Sequence, residues 1–422
     1  MSGNDLLLIT PPKMSSSDKA RFDVLPPLQL RGKARRREGE SIVANKVVMA
    51  AKRKALERKA SVLLTNEDLD LLWDTLWAHA SSGTEEKRRM TYDDFKQVKG
   101  LLPEKFHRFM SAGTFLHFGA EDDGSILVVA YFNYVLRKVS LMQTRLDFAA
   151  YDHDNDGFLT DAEMEMFVLD MIQKPEGGLK IGSLNETVVP FYVMTAVRRF
   201  AFFLDPMRRG KLSIQKILLS PILTQFYELR DEIDPEYLRD NWFAPDVSLR
   251  VYETFLDLDV DRNGFISRDE MRTFYNGTLT EPYLDRLYAE RGRDARGLDF
   301  KGFVDFVIAL ENPAAPESVA WQFKLLDVES KNVLDEFVLK TLFKGVVDKM
   351  IHFQHEAPNV EDVVNEVFDM ANGKRYHEIT LEDLVKCGVG GTITTILTDC
   401  RGFWACELPC LFSILASTYG PS

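Results

Sequence analysis

Apolar residues recur at three- and four-residue steps along much of this chain, the period of a helix that buries one face. Phe148 and Tyr151 are followed, after a polar glycine-bearing loop, by Met164, Phe167 and Val168. Val251, Phe255 and Leu258 are followed in the same way by Met271, Phe274 and Tyr275. Further on, Phe300, Phe303, Phe306 and Val307 form another such face. The run 188–204 is apolar on nearly every side but carries Pro190, Arg198 and Arg199, which makes it a buried core helix rather than a membrane span. Alternating patterns long enough for a sheet are missing. The expectation is an all-α chain of tandem helix-loop-helix pairs, elongated, with minor two-residue β-bridges between loops.

Two of the loops carry a specific chemistry. In 152–163, Asp152, Asp154, Asp156 and Glu163 stand at positions 1, 3, 5 and 12, with Gly157 at position 6 and Phe158 at position 7. In 259–270 the same positions hold Asp259, Asp261, Asn263 and Glu270, with Gly264 and Phe265. Calcium takes six to eight hard oxygen ligands, and the EF-hand loop supplies them with this spacing, position 7 through its backbone carbonyl. The glycine serves a sharp turn that needs positive φ. Thr160 and Ser267 stand at position 9, where contact is often through water. Leu159 and Ile266 at position 8 suit a short bridge to a neighbouring loop. These residues mark two calcium sites.

EF-hands pack in pairs, so each strong loop calls for a partner. Degenerate copies are visible at 205–216, 119–130, 291–302 and 327–338, with fainter ones around 83–94 and 372–383. Met207, Arg209 and Lys216 spoil the first of these, Ala130 the second and Val338 the fourth, while 119–130 keeps Glu121, Asp123 and Gly124. A pairing of 83–94 with 119–130, 152–163 with 205–216, 259–270 with 291–302, and 327–338 with 372–383 fits the pattern. A register joining 119–130 to 152–163 fits it too. The expected divisions are a basic, partly disordered arm over 1–60, then helical regions 61–175, 176–245, 246–312 and 313–404, and a tail 405–422.

Charge and cysteine usage add little that points to catalysis. Residues 31–60 hold eleven Lys/Arg against three Glu, a local balance of +8, which leaves −21 on the rest of a chain of net charge −13. Lys33, Arg35, Arg36 and Arg37 suit either a nuclear or nucleic-acid signal or, as preferred here, a solvated arm that is helical from about residue 42. No signal peptide opens the chain and no apolar run nears the ~20 residues of a span, so a cytosolic or nuclear protein without membrane partners is expected. Cys387, Cys400, Cys406 and Cys410 lack zinc spacing and are read as free thiols. There is no P-loop or kinase set. Gly388, Gly390 and Gly391 read as a turn, and His352 and His355 as one surface helix face. The chain is expected to bind rather than to catalyse.

Several strings resemble one family, the B double-prime regulatory subunits of protein phosphatase 2A, and within it the gamma branch that includes FASS/TONNEAU. They are LLTNEDLDLLW (63–73), YFNYVLRKVSLMQTR (131–145), FYVMTAVRRFAFFLDPMRRGKLSI (191–214), NWFAPDVSLRVYETFLDLDVDRNGFIS (241–267), LDFKGFVDFVIALEN (298–312) and ITTILTDCRGFW (393–404). The resemblance implies a non-catalytic subunit that joins the phosphatase scaffold and catalytic subunits and directs serine/threonine dephosphorylation of phosphoprotein substrates. It further implies microtubule-associated, centrosomal or basal-body partners, and a place in the cytoplasm, cytoskeleton or nucleus. Two features depart from the family pattern: the first loop has its full ligand set, and the tail after Trp404 is not acidic. A stand-alone calcium sensor or adaptor is the other reading.

Overall fold

The computed structural model describes residues 42–80, 87–118, 124–174, 177–181, 184–231, 236–292, 296–373 and 377–404. Lys33 to Arg37, Glu121, Asp123, Cys406 and Cys410 lie outside them. Among the described residues the first elements are α1 (Ile42–Ala60), α2 (Asn66–Ala78), β1 (Arg89–Met90), α3 (Tyr92–Leu101), α4 (Ala112–His117), β2 (Ile126–Leu127) and α5 (Val128–Tyr151). Next come β3 (Phe158–Thr160), α6 (Asp161–Gln173), α7 (Val189–Leu204), β4 (Lys211–Ser213), α8 (Ile214–Leu219), α9 (Pro221–Glu228) and α10 (Pro245–Leu258). Then β5 (Phe265–Ile266), α11 (Arg268–Met271), α12 (Glu281–Arg291), β6 (Leu298–Asp299), α13 (Phe300–Glu311) and α14 (Pro316–Leu326) follow. The last elements are β7 (Leu334–Asp335), α15 (Glu336–His352), α16 (Val360–Ala371), β8 (Glu378–Ile379), α17 (Leu381–Lys386) and α18 (Gly390–Thr398).

The strands pair as β1 with β2, β3 with β4, β5 with β6 and β7 with β8. This is the first of the two registers that fit the sequence pattern, and the rival one does not occur. Each bridge centres on position 8 of its loop: Met90 opposes Ile126, Ile266 opposes Leu298 and Leu334 opposes Ile379. All six, together with Leu159 and Leu212, are buried. Burial of these side chains therefore holds the loops in pairs whether or not the loop keeps its ligands.

Loop exits start helices through a shared device. Thr91 with Asp94, Ser267 with Glu270, and Thr380 with Asp383 form capping boxes, each joining positions 9 and 12. Two degenerate hands, 83–94 and 372–383, thus keep an acid at position 12 that caps a helix.

The chain divides into two compact units. In the unit of Gly32–Phe167 and Leu212–Leu223, Leu72, Phe95, Phe106, Phe109, Phe115 and Tyr131 form the core. In the other, α7 packs on α13, and Phe191, Tyr252, Phe255, Phe300 and Phe303 lead a core that runs on through Leu339, Phe343 and Leu397. The run 188–204 is a buried helix, as its composition implies. Its Arg198 binds the buried Asp305 of α13 through two bonds of 2.9 and 2.8 Å, and Arg208 reaches the same carboxylate at 2.9 Å. Among the described residues no helix is long and apolar enough to cross a membrane.

Two expectations need correction. The second loop does not exit into a full helix: α11 has four residues, and Tyr275, Asn276 and Gly277 all take positive φ. His352 and His355 do not share a helix face, since α15 ends at His352, Gln354 is left-handed, and the His355 ring lies 4.2 Å from that of Trp404.

Candidate metal centres

The first loop gathers the carboxylates of Asp152, Asp154 and Asp156 within 4.8 Å of one another. Asp152 is 5% exposed; its Oδ2 accepts the Gly157 N–H at 3.1 Å, and its Oδ1 is buried without a hydrogen-bond partner. Asp156 Oδ1 accepts the Phe158 N–H at 2.8 Å and so sets the start of β3. Glu163 Oε1 accepts the His153 N–H at 3.0 Å, while Oε2 accepts the Thr160 N–H and hydroxyl at 2.8 and 2.9 Å. Burial alone would raise the Glu163 carboxyl, but these bonds from Thr160 and His153 outweigh it and hold the group below its usual range.

The second loop brings Asp259, Asp261 and Glu270 within 4.8 Å. Asp259 Oδ2 accepts the Gly264 N–H at 2.9 Å and its Oδ1 the Asn263 N–H at 3.0 Å. Asn263 donates to Asp261 at 2.7 Å and accepts from the Phe265 N–H at 2.8 Å. Glu270 accepts the Val260 N–H at 2.9 Å and the Ser267 N–H and hydroxyl at 2.8 and 2.7 Å. Burial, then the crowding of Asp261, pushes the Asp259 carboxyl up. Carboxylate oxygens gathered this closely, with the Asp152 Oδ1 buried and unpartnered, are a donor set that a hard divalent cation fits.

Loop backbone survives where ligands do not. Position 4 has positive φ at Asn155, Arg208, Arg262 and Ser330, and position 6 at Gly157, Gly210, Gly264 and Asn332. Asp205 and Asp327 accept the position-6 N–H at 2.7 Å each, as the strong loops do. In 327–338 the Lys331 ammonium lies 2.6 Å from Glu329 and 3.7 Å from Asp335, so a tethered cation stands among the loop's acids.

Three features around the loops have no signature in the sequence. His153, at position 2, contacts Glu163 through its ring at 3.1 Å. The Lys52 ammonium of α1 meets the Asp152 carbonyl, so the arm is not wholly solvated. The Tyr288 hydroxyl lies 2.8 and 2.9 Å from the carbonyls of Ile266 and Ser267 and braces the end of the second loop. Only the helical period of α12 could have suggested Tyr288 as an inward-facing residue.

Comparison with known proteins agrees with this geometry. A family model described as EF hand matches residues 147–168 and 251–275. The gamma member of the B'' regulatory subunits of serine/threonine-protein phosphatase 2A from Danio rerio is 38% identical over 355 residues, 83% of this chain and 77% of that protein. Its Homo sapiens counterpart is 38% identical over 83% of this chain and 78% of its own length. TON2 of Arabidopsis thaliana, a probable member of the same B'' group, is 34% identical over 87% of this chain and 79% of that protein. A solved chain from a PP2A PR70 holoenzyme, with the label diCa, shares the fold at a TM-score of 0.54 and 19% identity, covering 60% of this chain and 94% of that one. Fold and loops together define an EF-hand protein. The chain belongs to the B'' regulatory subunits of protein phosphatase 2A, in the gamma and TON2 branch, and is non-catalytic.

Proposed function

We propose that this protein binds two calcium ions and in that form joins the phosphatase 2A scaffold and catalytic subunits, presenting phosphoprotein substrates to the catalytic one. The observation that carries the metal reading is the buried, unpartnered Oδ1 of Asp152 beside two further carboxylates. Asp152, Asp154, Asp156, Glu163 and the Phe158 carbonyl would hold one ion; Asp259, Asp261, Asn263, Glu270 and the Phe265 carbonyl the other. A bound divalent cation supplies the positive charge that lets these carboxylates stay ionised at close range. The loop residues themselves fix the angle between the helices on either side, since positions 1 and 12 stand at the two helix ends.

The partner reading rests on similarity to named B'' proteins over more than four-fifths of the chain. Work at the cytoskeleton, from the cytoplasm and a centrosome or basal body, belongs to the same proposal and rests on the family resemblance of the sequence strings alone. Affinity purification with and without calcium tests the proposal: recovery of scaffold and catalytic subunits is expected, and their absence leaves a stand-alone sensor. Calorimetry should find two calcium ions per chain, and none at physiological magnesium would refute the metal reading.

A further inference from the structure

The short exit from the second loop ends in a set of contacts that reaches the last described helices. Helix α11 carries the loop's final acid, Glu270, between Arg268 at its start and Arg272 at its C-cap. Arg268 binds Glu281 at 2.8 Å and Asp285 at 2.6 Å, and Arg272 binds Glu281 at 3.1 Å. Glu281, the first residue of α12, also receives Lys349 of α15 at 3.3 Å. One carboxylate therefore joins Arg268 of α11 and its C-cap Arg272 to a helix some seventy residues later.

A second link runs through backbone. Leu279 bridges Asp399 in antiparallel fashion, with the Thr280 N–H donating to the Thr398 carbonyl at 3.0 Å and the Cys400 N–H to the Thr278 carbonyl at 3.2 Å. All of Thr278, Leu279, Thr280, Thr398, Asp399 and Cys400 are buried. A third is steric: a Cβ on Gly345 of α15 would stand 2.7 Å from Cδ of Pro282 and 3.2 Å from Cβ of Thr280, so α15 rests directly on this segment.

Between α11 and these contacts lie Tyr275, Asn276 and Gly277 in left-handed conformation, which Tyr275 adopts against its preference. Phe274 is buried against Phe303 and Phe306, and the Arg401 guanidinium lies 4.2 Å over the Tyr275 ring. A helix of four residues anchored at both ends moves as one piece. A shift of Glu270 within the loop therefore displaces Arg268 and Arg272 with it.

We propose that the second loop is allosterically coupled to the carboxyl-terminal helices, with Glu281 as the positioning residue through which the state of Glu270 sets the order of segments 278–281 and 398–401. This rests on the calcium reading of that loop. Coupling of this kind is reciprocal: a partner that orders the 398–401 segment tightens cation binding at 259–270.

The test is hydrogen exchange on the full chain, with and without calcium, read in peptides covering 274–284 and 396–404, beside calorimetry. In the unaltered chain calcium should slow exchange of the Thr280 and Cys400 amides by about tenfold. Glu281→Gln should still bind two ions while the slowing falls below about twofold, and Arg272→Gln gives the same reading should Glu281→Gln not fold. Glu163→Gln should leave the slowing intact. Two ions bound with no slowing, or slowing that persists in both linkage variants, overturns the coupling alone. Slowing abolished by Glu163→Gln overturns it as well. No ion bound at the second loop overturns the coupling and the metal reading together.

Discussion

Replacing Glu270 by Gln separates the two duties that the structure gives this residue. Without a cation, four donors point at the carboxylate: the N–H groups of Val260, Asp261 and Ser267 and the Ser267 hydroxyl. A Gln side chain accepts through one oxygen and turns its NH2 toward the remaining donors, which loses about 1–2 kcal/mol of hydrogen bonding. The same change removes one of three carboxylates packed within 4.8 Å, which offsets part of that loss. The net effect without calcium is then about 1 kcal/mol or less. With calcium the balance differs. A site of sensor affinity, roughly 10⁻⁷ to 10⁻⁵ M, in about 1 mM free ion stabilises the fold by about 2.7 to 5.5 kcal/mol. Loss of a bidentate ligand that weakens binding a hundredfold removes about 2.7 kcal/mol of this. Urea unfolding of wild type and Glu270→Gln, each in chelator and in calcium, measures both quantities. A larger loss in chelator than in calcium would show that Glu270 is a helix cap first, and the ligand argument would fail.

The first loop offers four carboxylates to the second loop's three plus Asn263, so Glu163→Gln should lower total calcium affinity more than Glu270→Gln in calorimetry. Asp305→Ala leaves Arg198 and Arg208, 13% and 25% exposed, without their shared acid and should destabilise that unit by about 3–5 kcal/mol in urea, whereas a loss under 1 kcal/mol would deny the triad a structural role. Gly345→Ala gains about 0.5–1 kcal/mol of helix propensity but drives a Cβ into Pro282, so a net loss of about 1–2 kcal/mol in thermal unfolding is expected and a stabilised variant would contradict the close packing. Lys331→Asp with Val338→Glu removes the tethered ammonium and restores position 12, and calorimetry should then count three ions in place of two.

The gathering of the loop acids was legible in the residues alone. Six to eight oxygens must arrive in one short loop, so a complete ligand set announces itself by spacing, and Asp152 to Asp156 and Asp259 to Asp261 do come together. That the loops pair was legible too, because Met90, Ile126, Ile266, Leu298, Leu334 and Ile379 each need a facing apolar partner, but two registers fit the pattern and only the fold chose between them. Helical period likewise announced 188–204 as core. What the period could not convey is where a helix is interrupted from outside. Met271, Phe274 and Tyr275 keep the spacing of one face, yet the chain leaves the helix after Met271 and turns through left-handed residues. Past that turn, Thr278 and Thr280 bond through their backbones to Cys400 and Thr398, more than a hundred residues away. Backbone pairing of this sort uses no particular side chain, so it leaves no residue type to read. The same holds for Glu281, an ordinary helix-start acid in sequence, which only the folded chain surrounds with Arg268, Arg272 and Lys349.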